Sequence, residues 1–148
     1  MDFPSRPAEA ASPPDGLVDA LGCDLKWCGR TAYDYLIEVA NEAVVRGLKP
    51  DLRALSELPV RGVIVTAHCN GAYDFVSRFF APAAGVPEDP VTGSAHCSLA
   101  PYWAAQLGRC RLLAWQASPR GGEVAVELLA NRVRLGGRAV TVWRGELV

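Results

Sequence analysis

Residues 92–107, TGSAHCSLAPYWAAQL, are the stretch that decides the fold. Apolar side chains fill most positions after the first turn and leave almost no polar face, which is the pattern of a helix buried on all sides. The stretch therefore predicts a central helix that stops at Gly108. Pro101 would remove the hydrogen bond to the carbonyl of Cys97, so a kink, or a helix in two pieces, is expected there.

Short segments rich in β-branched and aromatic residues surround this helix in the sequence. Strands are predicted at residues 33–39, 60–67, 73–80, 112–116, 123–129, 132–135 and 139–147, and a strand or turn at 43–45. Residues 16–21 and 51–58 are predicted as short helices, with Asp15 and Asp51 as caps. In 33–39 the polar and aromatic residues alternate, which indicates one buried face. Runs of strands around one long helix favour an α+β fold, with a strongly curved antiparallel or mixed sheet wrapped on the helix.

The length and composition of the chain are typical of one globular domain. The chain has 148 residues, 50% hydrophobic and 21% charged, with a net charge of −1. Residues 1–15 are interpreted as a partial strand and a Pro-rich loop that leads into a single domain at 16–148. The near-neutral charge and dispersed arginines give no reason to expect nucleic acid or a membrane surface as a partner. No dinucleotide-binding or phosphate-loop motif is present.

The sequence gives little indication of a membrane helix, a signal peptide or a metal site. No run approaches the roughly 18 apolar residues of a membrane helix, and the first twenty residues do not resemble a signal peptide. The five cysteines form no C-x-x-C pair, so reduced thiols and a cytoplasmic location are expected. A metal site built from His68, Cys69, His96 and Cys97 is conceivable, but adjacent strand residues point to opposite faces, and no metal is predicted.

Residues 88–96, EDPVTGSAH, carry the chemistry. The first N–H groups of a helix lack partners and lie at the positive end of its dipole, so helix starts bind anions. Gly93 would let a ligand approach the backbone closely, while Thr92 and Ser94 could donate hydroxyl hydrogen bonds. Asp89 could hold an amino or hydroxyl group, or relay a proton.

A purely structural interpretation of this segment is equally open from the residues alone. Asp89 or Thr92 could only cap the helix, and Ser94 could satisfy a neighbouring backbone group. His96 lies inside the predicted helix and is interpreted as a core residue rather than a catalyst.

The segments 74–82 (DFVSRFFAP) and 85–96 (GVPEDPVTGSAH) closely resemble the phenazine-biosynthesis-like family. So do Tyr102-Trp103, residues 118–123 (SPRGGE) and residues 136–140 (GGRAV). The resemblance covers most of the chain from Val60 onward. Residues 1–4 resemble the strand that enters the second domain of family members.

This resemblance implies two similar domains, each a β-barrel wrapped around one central helix, as in diaminopimelate epimerase. The active site would lie between the amino ends of the two helices. By the resemblance, Asp89 and Ser94 match the acid and serine that contact substrate, and Gly93 contributes its backbone. In the phenazine enzyme these residues assist a cofactor-free proton shift within a cyclohexadiene amino acid.

Two departures from the family pattern matter. The acid–base glutamate and its assisting histidine belong to the first domain, which nothing here resembles, and a full member would be roughly twice as long. In the epimerase branch a catalytic cysteine precedes the glycine-rich turn, where this chain has Pro90. Cys97 is expected to be buried, which disfavours a two-cysteine mechanism.

The resulting prediction is the carboxy-terminal half of an isomerase that transfers a proton on a small amino or hydroxy carboxylate without a cofactor. Alone it would be inactive, and its partner would be the amino-terminal domain, in cis or in trans. Thr92, Gly93 and Arg120 are predicted to bind substrate, although Arg120 could instead pair with Glu123, and Arg78 is interpreted as structural. The alternative is a non-catalytic binding or interaction module, with homodimerisation possible.

Overall fold

Nine strands form one sheet in the order β1-β9-β8-β7-β6-β5-β4-β3-β2. The structure is a computed structural model and describes residues 1–146. The strands are β1 Asp2–Pro4, β2 Glu9–Ala10, β3 Trp27–Arg30, β4 Asp34–Glu38, β5 Gly62–His68, β6 Phe75–Phe80, β7 Arg111–Gln116, β8 Gly122–Leu129 and β9 Arg132–Gly136. The helices are α1 Leu17–Leu21, α2 Glu42–Gly47, α3 Leu52–Ser56 and α4 Gly93–Leu107, with a 3₁₀ turn at Pro82–Ala84.

The sheet has to curl because its two outermost strands are neighbours in the sequence. Strands β1 and β2 lie at opposite ends of the sheet order, yet only residues 5–8 join them. Five residue steps span at most about 18 Å, whereas nine flat strands would be about 38 Å across. Backbone bonds hold this connection in place, from the Ser5 N–H to the Asn131 carbonyl and from the Arg6 N–H to the Cys97 carbonyl in α4.

Helix α4 lies against the inner face of the curled sheet, where it contacts β7, β8 and β9. Pairing is parallel between β4 and β5 and between β6 and β7, and antiparallel elsewhere. The predicted class is therefore confirmed: an α+β fold with a curled, mostly antiparallel sheet around one central helix, in the form of a half-barrel.

Two apolar cores cover the two faces of the middle strands. The inner core surrounds α4, and the outer core packs under α1, α2 and α3. All five residues of β4 are consequently buried, so the predicted one-sided alternation of this strand is wrong. Strands β7 and β9 do alternate, because helices cover only their inner face. The inner core includes Leu36, Ile64, Phe75, Leu99 and Trp103, and the outer core Tyr35, Ile37, Val63, Val65 and Phe80.

The central helix is one continuous element in spite of Pro101. Most residues from Ala95 to Ala104 are buried, and Gly108 ends the helix in the left-handed conformation. The predicted alternative of a helix in two pieces is wrong.

Other boundaries differ from the sequence prediction. Residues 43–45 belong to helix α2, whose first turn is capped by the Asn41 side chain. Helix α1 starts after Gly16 and has no side-chain cap from Asp15, whereas Asp51 does cap α3. Strands β2 and β3 are additional. Residues 139–146 of the predicted last strand form no strand, and residue 147 lies outside the described part.

None of the helices within residues 1–146 is long and apolar enough to cross a bilayer.

Gly62 marks a place where the backbone approaches its neighbours too closely for a side chain. A Cβ there would lie 2.7 Å from the Phe80 carbonyl oxygen and from the Phe79 ring. Gly62→Ala is therefore expected to destabilise the fold by about 1–3 kcal/mol through overpacking. A Cβ added to Gly47, in α2, would meet nothing within 4 Å, so Gly47→Ala should be neutral or stabilise by about 0.5–1 kcal/mol. Urea denaturation measures both, and equal effects of the two substitutions would contradict the packing argument.

His96 is fully buried in α4, in agreement with its interpretation as a core residue. Its Nδ1 lies 2.7 Å from the Thr92 carbonyl oxygen, which fixes that nitrogen as the donor. Burial lowers the pKa of His96 from 6.5 to about 4, and the bond to Thr92 opposes this only partly. The imidazole is therefore neutral at physiological pH.

This burial predicts a pH dependence of stability. The unfolded chain takes up the His96 proton near pH 6.5 and the folded chain near pH 4, so the unfolded state binds more protons between these values. Stability should fall as the pH is lowered through this window, by on the order of 3 kcal/mol from His96. Urea unfolding at stepped pH should show a shallower loss in His96→Gln, which keeps a donor and does not titrate. Parallel losses in both proteins would contradict the assignment.

Candidate functional site

The loop between β6 and α4 carries Asp89 and is anchored by a buried ion pair. The Arg78 guanidinium donates to both oxygens of Glu88, at 2.7 and 2.8 Å. It also donates to the carbonyls of Val45 and Leu48 at the end of α2. This agrees with the structural role predicted for Arg78. Because Glu88 precedes Asp89 directly, the ion pair fixes the backbone next to Asp89.

Asp89 and Thr92 contact each other at the start of α4. The Thr92 hydroxyl donates to Asp89 Oδ2 at 2.7 Å, and the Asp89 N–H donates to the Phe79 carbonyl at 3.0 Å. Thr92 is the N-cap residue, but its side chain makes no capping bond. Among the described residues neither side chain reaches the first helical N–H groups, so simple capping does not account for them.

The first turn of α4 leaves its donors free. Within residues 1–146, the backbone N–H groups of Gly93, Ser94 and Ala95 have no acceptor, and the first internal bond is from the His96 N–H to the Thr92 carbonyl. The positive end of the helix dipole adds to these donors. This arrangement favours an anionic group at the helix start.

Two cavities meet the helix start from different sides. Gly93 and Arg120 line a cavity of about 550 Å³, together with Arg138. Ser94 lines a smaller cavity of about 170 Å³ beside Arg6 and Cys97. The structure thus brings Gly93 and Arg120 to one cavity, while the half-buried Ser94 faces another.

The Arg120 guanidinium forms no ion pair within the described part of the chain. The alternative partner, Glu123, lies 3.9 Å from Arg138 instead. A pairing between Arg120 and Glu123 is therefore not what positions this arginine.

Sequence reasoning missed two residues of the β7–β8 hairpin that hold the loop. The buried Gln116 side chain bonds to Asp89 and Thr92, and the Ser118 hydroxyl donates to the Pro90 carbonyl at 2.8 Å. The signal that could have found Gln116 was the alternation in β7: Leu112 and Ala114 point into the inner core, so Gln116 must point inward as well.

Cys97 is a buried thiol and not part of a cluster of metal-binding residue types within residues 1–146. Burial raises the pKa of the Cys97 thiol, whose Sγ lies 3.4 Å from the Gly93 carbonyl oxygen, so the neutral thiol dominates. Cys69 belongs to the outer core and Cys97 to the inner core. In the part of the chain that the structure describes, no three His, Cys, Asp or Glu residues are grouped as a metal site would require.

Comparison with known proteins gives consistent matches over this whole chain. The profile of the family "Phenazine biosynthesis-like protein" matches residues 12–145. An uncharacterised isomerase of Halalkalibacterium halodurans is 47% identical over 150 residues, covering 100% of this chain and 57% of that protein. An uncharacterised isomerase of Pseudomonas aeruginosa is 47% identical over 147 residues, covering 99% of this chain and 56% of that protein.

Solved structures agree with these matches. A PhzF-family phenazine biosynthesis protein from Enterococcus faecalis has a TM-score of 0.88 at 40% identity, covering 93% of this chain and 52% of that one. A putative phenazine biosynthesis protein from Clostridium difficile has a TM-score of 0.88 at 35% identity, covering 100% of this chain and 57% of that one. The chain spans a little over half the length of the curated relatives it matches. The chain belongs to the phenazine biosynthesis-like family, whose matched members include isomerases.

Proposed function

We propose that this chain is the carboxy-terminal half of an isomerase that transfers a proton on a small amino or hydroxy carboxylate. The observation that carries the proposal is the start of α4. There the free N–H groups of Gly93, Ser94 and Ala95 adjoin a loop that holds the Asp89 carboxylate against Thr92. Donors for an anion and a nearby carboxylate are what binding and reorienting an amino carboxylate requires.

Each residue has a distinct part in this proposal. The free N–H groups of Gly93 and Ser94 and the Ser94 hydroxyl bind the substrate carboxylate. Thr92, whose N–H donates to Gln116, holds Asp89 through its hydroxyl, and Asp89 orients the amino or hydroxy group or passes a proton. Arg120, on the larger cavity beside Gly93, supplies a second anion contact. No cofactor takes part in this scheme.

The main acid–base group is proposed to come from an amino-terminal domain. Two observations support this: the chain covers 57% and 56% of its isomerase relatives, and the buried, neutral His96 is committed to the Thr92 carbonyl. The isolated chain would then bind substrate without turning it over.

Isotope exchange tests this division of labour. The chain would be joined to the part of the Pseudomonas aeruginosa relative outside the matched region, and deuterium uptake from D₂O into a cyclohexadiene amino carboxylate followed by NMR. We expect exchange by the joined protein and none by the chain alone. Asp89→Ala and Ser94→Ala should each slow exchange by about 10²-fold, because positioned acid–base and donor groups contribute at least that much.

Ser56→Ala is the matched control, since that hydroxyl is exposed and bonds only to the Arg53 carbonyl in α3. Rapid exchange by the chain alone would refute the proposal that the base lies elsewhere. Equal rates for the Asp89, Ser94 and Ser56 variants would refute the role of the helix start.

A second candidate, a binding or interaction module, is favoured by the exposed end of the described chain. Val140, Val142 and Trp143 are 84%, 89% and 79% exposed and belong to the apolar pattern that predicts a strand. Exposed apolar segments of this kind drive association. The occupant would be the amino-terminal domain of the same family or a second copy of this chain.

Association should be visible when the chain is alone. Size-exclusion chromatography with light scattering across a dilution series is expected to show concentration-dependent dimers. The double substitution Val140→Lys and Val142→Lys should shift the chain to monomer, because charge opposes burial of the segment. Val18→Lys, at a partly exposed position in α1, serves as the control. A dilution-resistant wild-type monomer would exclude self-association through this segment.

A further inference from the structure

Gln116 ends β7 and is completely buried, yet every hydrogen-bonding group of its side chain is used. Its Oε1 accepts the Thr92 N–H at 2.7 Å. Its Nε2 donates to the Asp89 carbonyl at 2.6 Å and to the Thr92 hydroxyl oxygen at 3.1 Å. These partners belong to Asp89 and Thr92, the residues on either side of Pro90 and Val91.

These bonds fix the orientation of the amide. Rotating it by half a turn would place Oε1 against the Asp89 carbonyl and Nε2 against the Thr92 N–H, so acceptor would face acceptor and donor would face donor. With Nε2 donating to the Thr92 oxygen, the hydroxyl proton points away from Gln116. That proton is then directed to Asp89 Oδ2, 2.7 Å away.

Two hydrogen bonds in series, from Gln116 to the Thr92 hydroxyl and from that hydroxyl to Asp89, set the direction in which the Asp89 carboxylate faces. We infer that Gln116 is a positioning residue, which holds the Asp89 carboxylate at a fixed place beside the free N–H groups of α4. The inference rests on the proposed function, because it assigns Gln116 the task of aligning the amino group of the substrate with its carboxylate site.

The loop does not need Gln116 merely to stay attached. Arg78 binds Glu88, the Asp89 N–H reaches the Phe79 carbonyl, and the Ser118 hydroxyl holds the Pro90 carbonyl. Removing the amide of Gln116 therefore leaves three anchors in place. It frees the Thr92 N–H and the Asp89 carbonyl, and the Thr92 hydroxyl is no longer directed to Asp89. Gln116→Met, of similar length and without donors, isolates this contribution.

The test compares two probes in the full chain by NMR titration of the Gly93, Ser94 and Ala95 amides. One probe is cis-2-aminocyclohexanecarboxylate, and the other is cyclohexanecarboxylate, which lacks the amino group. The wild type should prefer the amino probe by about tenfold, the size of a hydrogen bond to a charged group. In Gln116→Met this preference should fall to about one while cyclohexanecarboxylate still binds.

Two controls separate positioning from stability. Gln106→Met alters an exposed glutamine on α4. Ile37→Ala weakens the outer core on β4, which β5 separates from β6; both variants should keep the preference for the amino probe. Gln116→Leu is a second variant, whose side chain has neither a donor nor an acceptor. It should lose the preference as Gln116→Met does.

The outcomes are distinct. A wild type that binds neither probe, or both equally, would overturn the proposed function and the inference with it. A wild-type preference that survives in Gln116→Met would overturn the role of Gln116 alone. Failure of both Gln116 variants to fold would also overturn it, since the residue would then be structural.

Discussion

Burial of α4 by a single curled sheet is the constraint on which the rest of the structure depends. A helix with almost no polar face needs apolar neighbours on most sides, and the inner faces of β4 to β9 provide them. The amino end of the same helix reaches the edge of the apolar core, where Gly93 lines one cavity and Ser94 another. One helix therefore has two roles: its body stabilises the fold, and its first turn presents unpaired N–H groups at the positive end of the helix dipole.

The candidate site obtains its precision from elements that are distant in the sequence. Arg78 on β6 and Gln116 and Ser118 at the end of β7 hold successive residues of the loop, Glu88 to Thr92. Sites supported by side chains on strands are more rigid than sites built on a loop alone. The loop carries Asp89 and Thr92 of the candidate site, and the sheet sets its shape.

The sequence predicts what depends on local patterns and fails where partners are remote. The limits of α4 and the cap at Asp51 follow from composition and from the start and stop signals of helices. Residues 43–45 were misjudged because Val44 and Val45 favour strands, although the Asn41 cap and packing on the outer core select a helix. The contacts of Gln116 with Asp89 and Thr92 depend on the parallel pairing of β6 with β7. No local pattern in the sequence encodes that register.

The pairing of β1 with β9 determines the order in which a newly made chain can fold. Asp2 is aligned with Arg134, so the first strand leaves the ribosome long before its partner exists. During synthesis β3 to β6 can already assemble with the outer core, while residues 1–4 and the unfilled inner face remain open. Contacts between such distant residues slow folding and prolong the exposure of apolar surface. Completion of the half-barrel is thus a late event, because β1 has to wait until β9 has been made.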